Sequence, residues 1–195
     1  MLQGMKPKRI QNVLKGRAYL RKVEVMAYNE RWPQMFSEEA ARLNDIFRNE
    51  IIAIYHIGST SVIGLSAKPI IDIMLVVRDI NHVDEFNENM INIGYSPKGE
   101  NGIAKRRYFE EGGDNRTHHV HIYQSGSHEI MRHLAFKEYL KEHANALKAY
   151  SQIKERLAKQ FPDNIEAYIN GKDHFVKDLE IKALAWYGDN ELSDS

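Results

Sequence analysis

His56-Ile57-Gly58-Ser59-Thr60-Ser61 is followed, after a short gap, by Lys68-Pro69-Ile70-Ile71-Asp72-Ile73-Met74-Leu75-Val76-Val77. The second run is apolar at both alternating sets of positions, the pattern of a central strand covered by helices on each side. Asp72 is its only charge. Burying a carboxylate costs free energy unless a cation, a metal ion or several donors meet it, so Asp72 is the first candidate for chemistry. The structural alternative pairs it with Lys68 or an arginine. The first run ends a β-branched strand, Ile51 to Ile57, in a turn of small polar residues. Such a turn lets backbone N–H groups approach an anion, and its hydroxyls add donors. Lying about a dozen residues ahead of Asp72, Gly58 to Ser61 could form a phosphate cradle beside a metal ligand. Gly64-Leu65-Ser66-Ala67-Lys68 lacks the Gly-Lys-Ser/Thr ending of a P-loop.

Upstream, an edge strand is expected at Val23–Met26. Trp32-Pro33 then opens a helix carrying Phe36, Ala40, Leu43 and Phe47 on one face, with Glu38 and Glu39 in the turns where the macrodipole favours acids. Downstream, Asp79 can cap a helix with Val83, Phe86 and Met90 that ends near Gly94. Asn101-Gly102 reads as a hairpin turn into a strand at Ile103–Phe109, and a further strand spans Thr117–Gln124. From Ser127 the pattern is helical: Ser127–His143, Ala144–Phe161, Asn164–Ile169 and Lys172–Tyr187. In the last, Phe175, Leu179, Ala183 and Trp186 share a face. The fold class is α/β with a mixed (α+β) sheet and a helical C-terminal third.

Six of the nine histidines fall between 118 and 143. On the strand Thr117–Gln124, Val120 and Ile122 point one way and His119, His121 and Tyr123 the other. Two histidines on one face can hold a metal or phosphate or carry protons; a half-exposed polar strand face is the plainer alternative. The zinc-protease pattern fails, because Arg132 stands where His128-Glu129 would need a second histidine. Tyr123 occupies the place of a third histidine in a histidine-triad pattern. Lys68, Lys105, Arg106, Arg107, Arg116, Arg132 and Lys137 could each offset a phosphate, although alternation sends Arg106 to the face opposite Lys105 and Arg107. Arg132 shares a helical face with Phe136 and Leu140, which predicts a partly buried and paired guanidinium.

The chain has 27 Lys+Arg and 27 Asp+Glu in 195 residues, yet residues 1–22 hold seven bases and no acid. That leaves 20 bases and 27 acids for the other 173 residues. A body so acidic does not suit extended nucleic-acid binding, which needs a broad phosphate-neutralising surface. With no cysteine, disulfides, thiolate catalysis and cysteine-ligated zinc are excluded. No apolar run is long enough for a membrane span, and a cytoplasmic location is expected. Three parts are anticipated: a basic N-terminal extension at 1–22, one domain at 23–188, and an acidic tail at 189–195.

These motifs together resemble the GrpB family, a bacterial group assigned to the nucleotidyltransferase fold. The matching stretches are Val23-Glu24-Val25, Tyr28 and Trp32 to Phe36; His56 to Val62; and Gly64-Leu65 with Lys68 to Ile73. Further matches are His119-Val120-His121, Arg132 to Phe136 with Tyr139-Leu140, and Lys172, Phe175 and Ala183 to Tyr187. The resemblance implies a nucleotide or phosphorylated small molecule as partner, with Gly58 and Ser59 matching the turn that holds its phosphates and Asp72 matching the first acid, which binds a divalent cation, magnesium or manganese. The residues themselves extend this site: Thr60 and Ser61 complete the phosphate cradle, Lys68 or Arg132 offsets charge, and His119 and His121 serve as auxiliary metal ligands or proton carriers, with Asp72 and His121 the expected catalytic residues. Nucleotidyltransferases generally carry a second acid two residues after the first and a third on a later strand. Met74 and the pair His119/His121 stand at those places. A methionine cannot ligate magnesium, a hard cation that takes oxygen. Metal-dependent nucleotidyl transfer therefore stands beside a second expectation, a catalytically degenerate fold acting as a binding or regulatory protein.

Overall fold

The computed structural model describes residues 22–193. Residues 1–21 of the basic extension and the last two residues lie outside the described part. Helix α1, Trp32–Phe47, has Pro33 in its first turn, where the missing N–H costs nothing, and buries Trp32, Leu43 and Phe47. Strand β1, Ile51–Ile57, runs into a single 3₁₀ turn at Ser59–Ser61, and β2 spans Ile71–Val77. A 3₁₀ turn at His82–Phe86 continues into the short helix α2, Asn87–Asn92. Strands β3 (Tyr95–Pro97), β4 (Arg106–Glu111) and β5 (His118–Gln124) follow. Helices α3 (His128–Glu142), α4 (Ala144–Gln160) and α5 (Ile165–Ser193) complete the chain.

The five strands form one mixed sheet in the order β1-β2-β5-β4-β3. Only β2 and β5 are parallel. One face carries Ile71, Ile73, Leu75, Phe109, Val120 and Ile122 into the main core, beneath Trp32, Leu43 and Phe47 of α1. Each such side chain removed from water contributes on the order of 1.5–3 kcal/mol. The C-terminal helices lie on the other face. There Met74 packs with Ile57 and Tyr123, while Val62 and Leu65 pack with Leu140, Tyr150 and Leu179 of α3, α4 and α5. The mixed sheet and helical C-terminal third are as the sequence predicts.

Four local expectations change. The segment at Val23–Met26 is no strand of the sheet. It makes one bridge, Met26 to Ala67, and the Val23 N–H donates instead to the Pro162 carbonyl at 2.7 Å. Strand β4 begins at Arg106 rather than Ile103, because the turn is longer than Asn101-Gly102 alone. Lys105 also has a positive φ of 61°, and the Arg106 N–H closes back on Ile103. Glu39 is not in the first turn of α1, where the macrodipole would favour it; it lies further along the helix, 3% exposed, on the core side. Finally, Gly171 does not divide two helices. A Cβ there would stand 2.6 Å from a Leu157 methyl, so the glycine allows α5 to cross α4 closely while the helix runs through it to Ser193.

Candidate functional site

The β1–β2 pairing sets Ile57 opposite Asp72, so the turn that follows Ile57 falls beside that carboxylate. Gly58 has φ 69°, and a Cβ at this position would lie 2.5 Å from Asp72 Oδ2. Only glycine fits, both for the left-handed backbone and for the close approach. The turn is fixed by buried bonds. Thr60 Oγ1 donates to the Ile70 carbonyl at 3.2 Å and accepts from His56 Nε2 at 3.0 Å. Ser61 Oγ donates to the Gly58 carbonyl at 2.7 Å. Burial holds His56 down to about 4, helped by the nearby Lys137 charge, so the imidazole stays neutral as a donor.

Parallel pairing of β2 with β5 places Asp72 directly opposite His119, and Met74 opposite His121. His119 Nδ1 donates to Asp72 Oδ1 at 3.0 Å, and His121 Nε2 lies 3.7 Å from the same oxygen. Tyr108 of β4 sets its ring against both imidazoles, at centroid distances of 5.5 and 5.0 Å. Arg106 approaches the other nitrogen of His121 at 3.5 Å. His119 Nε2 is buried with no partner. Desolvation works to raise the Asp72 pKa, but hydrogen bonds from the two histidines and their charge outweigh it and hold the group well below the usual carboxylate range. Burial lowers His121.

A cleft of about 660 Å³ opens between this sheet face and helices α3, α4 and α5. Of the candidate site residues and bases singled out in the sequence, Gly58, Ser59, Thr60, Lys68, Asp72, Arg106, His119, His121 and Arg132 line it. Ser61 does not, its hydroxyl being turned to Gly58. Thr60, 1% exposed, holds the turn from beneath. Arg132 is paired, as its apolar helical neighbours predict: its guanidinium bonds Glu129 Oε2 at 2.9 Å and Glu180 of α5. Carboxylates thus already engage its charge. His133, next to it, is pushed down to about 3 by burial and by the Arg132 charge.

Two lysines at the site were not among the expected phosphate ligands: Lys154, which the sequence reading did not single out, and Lys172, which it named only as a family match. Lys154 of α4 is 2% exposed, and its Nζ donates to Ser59 Oγ at 3.0 Å while lying 4.1 Å from the Tyr150 ring centroid. No carboxylate among the described residues forms an ion pair with it. Burial, then the charge of Lys172, lowers it to about 7. Lys172 of α5 also lines the cleft, beside the Tyr168 ring, and burial lowers it too. The signal for Lys154 was present in the chain: Tyr150, Lys154 and Leu157 recur at helical spacing, a charge on an apolar helix face that parallels Asp72 on its apolar strand.

The magnesium pair of a two-carboxylate site does not fit these residues. Met74 is fully buried between Ile57 and Tyr123, so position 74 supplies neither oxygen nor access, and β5 offers imidazoles where a further acid would stand.

A mixed α+β sheet with a Gly-Ser turn held against a strand carboxylate, under a helical cover, defines the class of domain. The chain belongs to the GrpB family: the sequence model described as "GrpB protein" matches residues 22–182, as the motifs implied. The UPF0157 protein YqkA of Bacillus subtilis (strain 168) is 54% identical over 166 residues, covering 85% of this chain and 48% of that protein. The chain therefore spans about half the length of that relative. The crystal structure of GrpB from Enterococcus faecalis is similar at a TM-score of 0.82 and 44% identity, over 84% of this chain and 99% of that one. The Cid1 poly(U) polymerase is similar at a TM-score of 0.48 and 15% identity, over 77% of this chain and 48% of that one.

Proposed function

We propose that the cleft binds a nucleotide or another phosphorylated small molecule, with its phosphate end against Ser59, Lys154 and Lys172 beside Asp72. The observation that carries this reading is Lys154. An ammonium group taken out of water without an anion is costly, yet this one is held on the hydroxyl of the Gly-Ser turn, inside a cleft. A phosphate arriving there would supply the missing charge and accept from both groups. Lys172 adds a second cation, and Lys68 stands at the same cleft. Arg132 fits a wall residue better than a phosphate ligand, since two carboxylates already bond it.

Nucleotidyl transfer is the finer reading. Met74 favours the other one, a binding or regulatory protein on this fold, because the acid that would steady a second cation is replaced by a buried thioether. A cytoplasmic setting belongs to the same proposal. It agrees with a chain that has no cysteine and, among its described residues, no helix long and apolar enough to cross a membrane.

Thermal unfolding with a panel of nucleoside phosphates, sugar phosphates and phosphorylated coenzymes tests the proposal. At a hundred times Kd a ligand contributes about 2.7 kcal/mol, which for a chain of this size raises Tm by roughly 5–10 °C. At least one member of the panel should do so, and Lys154→Met should lose the response. A flat Tm across the panel, or a shift that survives Lys154→Met, contradicts it.

A further inference from the structure

Asp72, His119 and His121 each offer one ligand atom, and the three atoms lie within 4.8 Å of one another. Asp72 and His119 are in direct register on adjacent parallel strands, and His121 follows two residues further along β5 on the same face, so the backbone ladder fixes their spacing. Two ligands bound to one ion at about 2.1 Å stand about 3.0–3.4 Å apart. Asp72 Oδ1 is 3.0 Å from His119 Nδ1 and 3.7 Å from His121 Nε2. Small side-chain rotations therefore bring all three donors onto a single centre. Among the described residues, the other carboxylates on this side are already engaged by arginines. Position 74 is a buried methionine, Glu110 on the same face is held by Arg116 at 2.6 Å, and Glu180 bonds Arg132.

Two imidazoles and one carboxylate form a nitrogen-rich donor set. Magnesium takes oxygen and dehydrates reluctantly, whereas imidazole suits first-row transition ions, and this ligand set with open positions is one they adopt. We propose that Asp72, His119 and His121 hold one divalent transition ion, of the manganese-to-zinc class, in place of a magnesium pair. The proposal deepens the phosphate-cleft reading and rests on it for what fills the open coordination positions: phosphate oxygens arriving from the Ser59–Lys154 side. Arg106, beside His121, puts a positive charge next to the centre.

Cobalt(II) titration of chelator-treated wild-type protein tests this without any variant. The expected result is one equivalent bound, with the visible d–d bands of a nitrogen-ligated centre that a hundredfold excess of magnesium leaves unchanged. His119→Gln and His121→Gln, each shown folded by circular dichroism, should bind at least about tenfold more weakly. No visible spectrum, displacement by magnesium, or equal binding by the histidine variants overturns the proposal. Nucleotide binding measured in parallel under chelator separates the two readings. Cobalt uptake without any phosphorylated ligand removes the cleft reading and leaves the ion site. Ligand binding under chelator with no cobalt uptake removes the ion site alone.

Discussion

The sheet carries a carboxylate–histidine cluster on each face, and the two are finished differently. On the α1 face, Glu39, Glu111 and His118 bring their ligand atoms together, but the chain itself supplies the counter-charge. Arg42 Nη1 meets Glu39 Oε2 at 2.6 Å and stands 3.8 Å from Glu111. The Tyr95 hydroxyl donates to Glu39 Oε1 at 3.0 Å, and Thr117 and His118 donate to Glu111. On the other face, Asp72 receives only its two histidines. A cleft opens over it, and the nearby buried lysine on Ser59 is left without an acid. The first cluster has its carboxylates counter-charged and bonded by the chain itself, which holds α1 to the sheet edge, although His118 Nε2 is buried there without a partner. The second is a set of unbalanced charges around a space, the condition under which burial points to a ligand.

The comparison breaks most severely at Gly58. Gly58→Ala forces a Cβ against Asp72 Oδ2 and a left-handed backbone. It should cost about 2–4 kcal/mol in denaturant unfolding and abolish the Tm response to phosphorylated ligands. Full retention of that response would show that the turn does not need its present approach to Asp72.

Lys154→Met should move stability and binding in opposite directions. The folded value near 7 lies below the ordinary lysine value of 10.5, so between those values the unfolded chain binds more protons than the native one. Native stability therefore carries a penalty below about pH 7 that is relieved as pH rises toward 10.5. Removing the amine should stabilise the protein by roughly 2 kcal/mol or more at pH 6.5, with the difference from wild type closing toward pH 10. Phosphate affinity should fall at least about tenfold. Parallel stability-versus-pH curves for the two proteins would contradict the account.

The smallest effect belongs to the closed face. Arg42 is 45% exposed, so Arg42→Met should cost only about 1–2 kcal/mol by leaving a Glu39 oxygen without its donor. Ligand responses should be those of wild type. A change in ligand binding would couple the two faces and blur the distinction between them.

Much of this architecture was legible in residue order because periodicity and turn chemistry agree locally. The run Ile70–Val77, the helix opened by Trp32-Pro33 and the paired helices before and after His143 stand where the pattern puts them. Asp72, the Gly-Ser turn and the His119/His121 face could be picked out for the same reason: each breaks or punctuates a strong pattern. What escaped depends on contacts between distant elements. Gly171 reads locally as a break and is instead a helix crossing against Leu157. Glu39 reads as a surface acid until Tyr95 and Arg42 converge on it. Lys154 interrupts an apolar helix face, but its partner Ser59, 95 residues away in sequence, is set against it only when α4 folds over the turn. Arg132 could be predicted as paired, but its partner on α5 could not be named without the packing of α3 on α5.

The central claim is that Ser59 and Lys154 form the phosphate end of a ligand cleft. A crystal structure of wild-type protein with a ligand taken from the thermal panel tests it most directly. The account predicts a phosphate group within hydrogen-bond distance of both Ser59 Oγ and Lys154 Nζ, on the Asp72 side of the cleft. A ligand seated elsewhere, with Lys154 still donating to Ser59 as it does now and the turn untouched, would contradict it.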